Sequence, residues 1–154
     1  MAFSYQKTVE LENKKAIPGD RANQQVVVYA PVNFTTKGTV KVGGFVWRDT
    51  TDASKVAAAG TGAPLGFMER VQNFANYDVN VEGTLAIPEN SEVNVAIQGD
   101  FYVVADAAVT IGATVYADTK TGAVTFTSGD DTVDSGFKAF TAGASGDMVI
   151  ITKR

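Results

Sequence analysis

A chain of 154 residues, 45% of them hydrophobic, fits one domain large enough to bury a core of its own. It contains neither cysteine nor histidine, which excludes disulfides and thiolate metal sites and removes the commonest general base and metal ligand. A net charge of −4 with 13 basic residues is the wrong balance for neutralising phosphates, so no nucleic-acid partner is expected.

In Met1–Lys15, the charges Lys7, Glu10, Glu12, Lys14 and Lys15 interrupt every apolar run. That argues against a signal peptide or a membrane span, and no membrane partner is expected. Phe3, Tyr5, Val9 and Leu11 fall on odd positions, which puts them on one face of an extended segment. The segment reads either as an edge strand of the domain's own sheet or as an N-terminal arm whose four apolar residues form a partner interface. Residues 16–154 then make a single β domain.

Ile17-Pro18-Gly19 marks a break, because proline fixes its own φ and glycine supplies the turn. Val26-Val27-Val28-Tyr29 predicts a strand buried on both faces and ended by Pro31. Val40, Val42, Phe45 and Trp47 flank Gly43-Gly44, a pattern that predicts a bulge or sharp bend. Trp47 is assigned to the core, with a ligand-stacking platform as the alternative. Asp49 to Pro64 is rich in small residues without apolar period and predicts a coil loop. Its Gly60-Thr61-Gly62 lacks the spacing and the lysine of a phosphate-binding loop. Leu65 to Arg70 resumes strand character, and a polar stretch with Phe74 and Tyr77 follows.

The stretch from Leu85 to Phe126 organises the chain. Val93, Val95 and Ile97 alternate with polar or small residues and are assigned to one buried face, with Gly99-Asp100 as a kink or tight turn before the strand Phe101–Val104. Ile111, Ala113 and Val115 begin a third run that leads into Asp118-Thr119-Lys120-Thr121-Gly122. This pentapeptide predicts a hairpin with Gly122 at positive φ, a position asparagine should also tolerate, and Ala123–Phe126 as the returning strand. Beyond a loop at Ser128–Thr132, Val133–Phe140 is a further strand. Asp130, Asp131 and Asp134 lack the order of a calcium loop and read as solvated acids. Gly143–Asp147 is a turn, and Met148–Thr152 a closing strand apolar enough for burial on both sides. Seven to ten short strands without a convincing helix predict an all-β fold: an antiparallel sandwich, jelly roll or small barrel.

Catalysis without histidine or cysteine would need a carboxylate pair such as Asp78 with Glu82 or Asp100 with Asp106, and nothing in the sequence pairs them. No catalytic, metal or cofactor-binding residue is assigned, and a binding or structural role is expected. A carbohydrate-binding or adhesion module is one such class, with Trp47, Tyr77 and Tyr102 as the aromatics it would expose. Gly44-Phe45-Val46-Trp47, Ala63–Arg70, Ile87–Val93, Gly99–Val103, Thr110-Ile111-Gly112, Val115-Tyr116-Ala117, Thr121–Val124 and Gly146–Ile150 occur in an order and spacing that resembles the capsid cement, or decoration, proteins of tailed phages. The resemblance implies a non-enzymatic protein without cofactors, bound to the major capsid protein on the outside of an icosahedral shell that it stabilises. It also implies self-association as a dimer or trimer, and a place on the virion exterior after assembly in the host cytoplasm.

Overall fold

The computed structural model describes residues 16–70 and 86–154. Phe3, Tyr5, Val9 and Leu11 lie outside the described residues, as do Phe74, Tyr77, Asp78 and Glu82. Thirteen strands and no helix are present among the described residues. They are β1 Val28–Tyr29, β2 Phe34–Thr36, β3 Val40–Lys41, β4 Phe45–Arg48, β5 Lys55–Ala57, β6 Gly66–Phe67 and β7 Ala86–Ile87, then β8 Glu92–Val93, β9 Ala96–Val104, β10 Thr114–Asp118, β11 Val124–Thr125, β12 Thr132–Ala139 and β13 Met148–Lys153. Eleven form one sheet in the order β11-β10-β12-β13-β9-β6-β4-β5-β2-β8, with β1 also on β9, while β3 and β7 form a separate pair. Every pairing is antiparallel except β2 with β5. The path ends at β11 and β8 without joining. Among the described residues the expected all-β class holds, without a closed barrel.

Two cores lie on opposite faces of the strands β4 and β6. Side chains alternate along an extended chain, so Phe45 and Trp47 enter one cluster while Val46 enters the other, and Phe67 of β6 and Met68 directly after it divide in the same way. The first cluster is built on four phenylalanines, all at most 1% exposed. Phe67 stacks on Phe101 with ring centroids 4.7 Å apart and meets Phe45 edge-on at 5.5 Å, and Phe45 lies 5.6 Å from Phe137. Such offset and edge contacts add to the burial term. Val149 and Ile151 of β13, Val103 of β9 and Val115 of β10 complete it. The second cluster gathers Phe34, Val40, Val46, Val56, Met68, Ile87, Val93 and Val95.

Several local expectations change. Val26 is 83% exposed and Val28 40%, with only Val27 buried, because β1 is two residues long and lies along an edge of β9. The coil expected from Asp49 to Pro64 contains β5, whose Val56 is fully buried between Thr36 and Arg48 as its register partners. Gly99-Asp100 is no turn: β9 runs through it unbroken. The break falls instead at Asn94-Val95. It shifts the alternation, so Ala96 is buried and Ile97 is not. Met148 and Ile150 are half-buried rather than enclosed, and Ile111 is 72% exposed. The hairpin at Asp118–Gly122 forms as expected, pairing Ala117 with Val124 and Tyr116 with Thr125.

Candidate partner-binding surface

β9, β12 and β13 turn one face to the phenylalanine cluster and the other outward. Their register places Val104 opposite Met148, Tyr102 opposite Ile150 and Asp100 opposite Thr152. The Phe140 N–H donates to the Ile150 carbonyl at 2.7 Å, which continues the second row across three strands. The outer face therefore carries Phe140, Ile150 and Tyr102 side by side, with Met148 and Val104 in the next row. Phe140 is 62% exposed and Val104 42%. Phe137 is on β12 and Phe140 follows its last residue, an odd number of residues further on, so one ring is core and the other is surface. Contiguous apolar surface on a rigid sheet face marks an interaction site more often than scattered single residues do.

The third row is polar and tied down. Asp100, 6% exposed, accepts hydrogen bonds from Thr152 Oγ1 (2.5 Å), Arg154 Nη2 (2.6 Å) and Asn23 Nδ2 (2.7 Å). A buried carboxylate needs such partners. Here they join β9, the end of β13 and the segment Gly19–Asn23, which runs antiparallel to β9 through Gly19 N to Tyr102 O at 2.8 Å and Tyr102 N to Asp20 O at 2.9 Å. A second cluster anchors that segment on β6. Glu69, 4% exposed, pairs with the Arg21 guanidinium and accepts the Tyr29 hydroxyl, and Arg21 Nη2 donates to Tyr29 Oη at 2.6 Å. Burial, and then the bond to Glu69, raise the Tyr29 phenol above its ordinary pKa; the bond to Glu69 raises Arg21 likewise.

A groove of about 320 Å³ opens beside the apolar face, lined by Pro18, Val42, Gly43, Val104, Ala123 and Val124 among others. Two strand edges reach it. Along β9, Asp100 and Tyr102 direct their backbone groups away from β13, towards Ala22, Gly19 and Asp20, and by alternation Val104 does the same. Pro18 has no N–H to offer there. On β11, the Asp118 N–H donates to the Ala123 carbonyl, so Val124 in turn faces away from β10.

The residues proposed for other chemistries fall elsewhere. Trp47 is 4% exposed and donates its Nε1–H to the Gly62 carbonyl at 2.8 Å. Its polar end is thus satisfied inside the first core, and it offers no face for stacking a sugar. Tyr102 is half-buried in the apolar row. Asp106 binds Thr125 Oγ1 and the Phe126 N–H, while Asp100 is held by Asn23, Thr152 and Arg154, so the two carboxylates are engaged separately. Asp131 pairs with Lys120 at 2.5 Å and Asp134 accepts the Gly136 N–H at 2.7 Å. Among the described residues no three acidic side chains converge as metal ligands. Sequence reasoning missed Phe140, Ile150 and Glu69 as site residues; Phe137 and Phe140 at odd separation on one predicted strand were the available signal.

A family model described as structural cement protein (E217 gp24/Pam3 gp6) matches residues 5–153. No curated protein matches the chain. Among solved structures, a chain from the capsid of Myoviridae phage XM1 is similar over 97% of both chains, with a TM-score of 0.67 and 16% identity. The head fiber gp8.5 N base of bacteriophage phi29 is similar over 82% of this chain and 95% of its own, with a TM-score of 0.50 and 12% identity. At these identities the likeness is one of fold.

Proposed function

Because the chain belongs to the structural cement protein family, we propose that it is a bacteriophage capsid component that sits on the outer surface of the shell, bridges the major capsid protein and reinforces the shell against internal pressure. The family match over residues 5–153 carries this reading. The geometry supplies a mechanism. Cementing calls for a rigid body with exposed adhesive faces, and the apolar rows of β9, β12 and β13 lie directly over the stacked rings of the core, so that little conformational freedom is lost on contact. Burying Phe140 and its neighbours supplies a non-directional attraction, while the tied polar row at Asp100 and Arg154 gives a rim that sets orientation. The role needs no catalysis and no cofactor. The N-terminal residues Phe3, Tyr5, Val9 and Leu11 add a second, extended contact with the shell or with sister subunits.

Co-sedimentation with capsids lacking this protein tests the reading. The protein should pellet with the shells, and Phe140→Asp should weaken binding at least tenfold while its melting temperature stays within a few degrees. Failure of the unaltered protein to pellet would sink the cement role; undiminished binding of Phe140→Asp would remove this face from it.

A further inference from the structure

We infer that the groove between Val104 and Val124 receives the N-terminal segment, residues 1–15, of a second copy of this chain, which adds a strand along the edge of β11 that no described strand pairs with. The inference rests on the cement reading only in taking the protein to act as a lattice of adjacent copies. The groove has what an added strand needs: apolar walls from Pro18, Val42, Val104 and Val124, and the outward backbone groups of Val124 and Val104 at its rim. Backbone bonds of this kind supply affinity, and alternate side chains supply specificity. Phe3, Tyr5, Val9 and Leu11 stand on alternating positions, so an extended segment would turn them all to the apolar wall. Fifteen residues reach about 50 Å when extended, enough to cross to a neighbouring molecule.

The turn at the mouth of the groove favours a neighbour's segment over the chain's own. The Asp20 N–H donates to the Ile17 carbonyl at 3.0 Å and the Ile17 N–H to Asp20 Oδ2 at 3.0 Å, and Gly19 has φ 92°, a value glycine adopts without strain. The chain thus reverses at Pro18-Gly19, so that Ile17 is turned back from the line of β9 rather than continuing past Val104. Reciprocal exchange between two copies closes on itself.

The absence of native cysteine makes the test clean. Single variants Phe3→Cys, Tyr5→Cys, Val9→Cys and Leu11→Cys are each mixed with an affinity-tagged Ala123→Cys protein and oxidised at low concentration. A tagged, disulfide-linked heterodimer is expected from at least one mixture. Adding Val124→Pro, which removes an outward N–H and no β10 bond, should lower its yield by up to about tenfold. The corresponding double variants report the alternative: linkage confined to monomers would place the segment in its own groove and overturn the exchange, as would no linkage at any of the four positions. Linkage unaffected by Val124→Pro would overturn the strand pairing. Capsid co-sedimentation of the same proteins is scored separately. Shell binding without heterodimers sinks the exchange alone, and heterodimers without shell binding sink the cement reading alone.

Discussion

Substituting Gly122 separates two costs that a positive φ would otherwise merge. Its φ of 72° suits glycine, but a Cβ there would also lie 2.3 Å from the Phe45 carbonyl oxygen and 2.9 Å from that of Ala58. Gly38 has φ 70° and nothing within 4 Å. Gly38→Ala should therefore cost only the left-handed strain, about 1–2 kcal/mol, and Gly122→Ala about 3 kcal/mol or more once the backbone must move. Gly122→Asn should be nearly as damaging, against the tolerance expected from turn chemistry alone, because asparagine carries the same Cβ. Urea unfolding of the three variants decides it; equal losses at Gly38 and Gly122 would show that the hairpin yields freely around Phe45. In the core the contrast is Phe67 with Ile97. Phe67 is fully buried among three other rings, so Phe67→Ala should cost about 3–5 kcal/mol. Ile97→Ala at its half-buried site should cost roughly 1 kcal/mol.

Among the elements, the hairpin between β10 and β11 has a built-in acid sensitivity. The Asp118 carboxylate accepts the N–H groups of Lys120 at 2.8 Å and Thr121 at 2.9 Å. Partial burial works against its charge, yet these bonds outweigh burial and hold its pKa below the ordinary carboxylate value. A carboxylate depressed on folding contributes stability above its unfolded pKa, about 3.9, and that contribution is lost as pH falls through the folded value. Asp118→Asn keeps an acceptor without the titration, so its stability should fall less steeply below about pH 4. An unchanged acid slope would assign the loss to other carboxylates, of which Asp49, held down by Lys37 and Thr51, is one. The hairpin was readable in sequence because its turn is local: pentapeptide, glycine and flanking alternation all lie within a dozen residues. β5 was not, because Lys55–Ala57 carries no period of its own and is a strand only where Thr35 and Trp47, distant in sequence, pair with it. The shifted parity at Ile97 has the same origin. Ala96 is drawn inward by its pairing to Phe67 and Tyr29, a constraint no window around residue 96 contains. Of the partner surface, the rows could be read once β9, β12 and β13 were aligned, but their alignment depends on non-local register.

For the whole molecule, the two cores raise the question of whether they melt together. They are not stacked domains: β4 contributes to both through alternate residues, Phe45 and Trp47 against Val46, and Phe67 of β6 and Met68 directly after it divide in the same way. Loss of the second cluster would strip one face from the strands that hold the ring cluster on the other, and a strand pair with a single short supporting sheet is marginal in water. Unfolding should therefore be one cooperative transition. Trp47, the only tryptophan, reports on the first cluster through its fluorescence, while Phe34→Ala weakens only the second. Phe34 is 1% exposed beneath the Arg48 guanidinium, so its truncation should cost about 3–5 kcal/mol. If the cores are coupled, Phe34→Ala shifts the Trp47 fluorescence transition and the far-ultraviolet circular dichroism transition by the same amount, although Phe34 and Trp47 belong to different clusters. A Trp47 transition that stays at its original temperature while circular dichroism acquires an earlier step would mean that the clusters unfold separately, and that the strength of the body beneath the Phe140 face owes nothing to the second core.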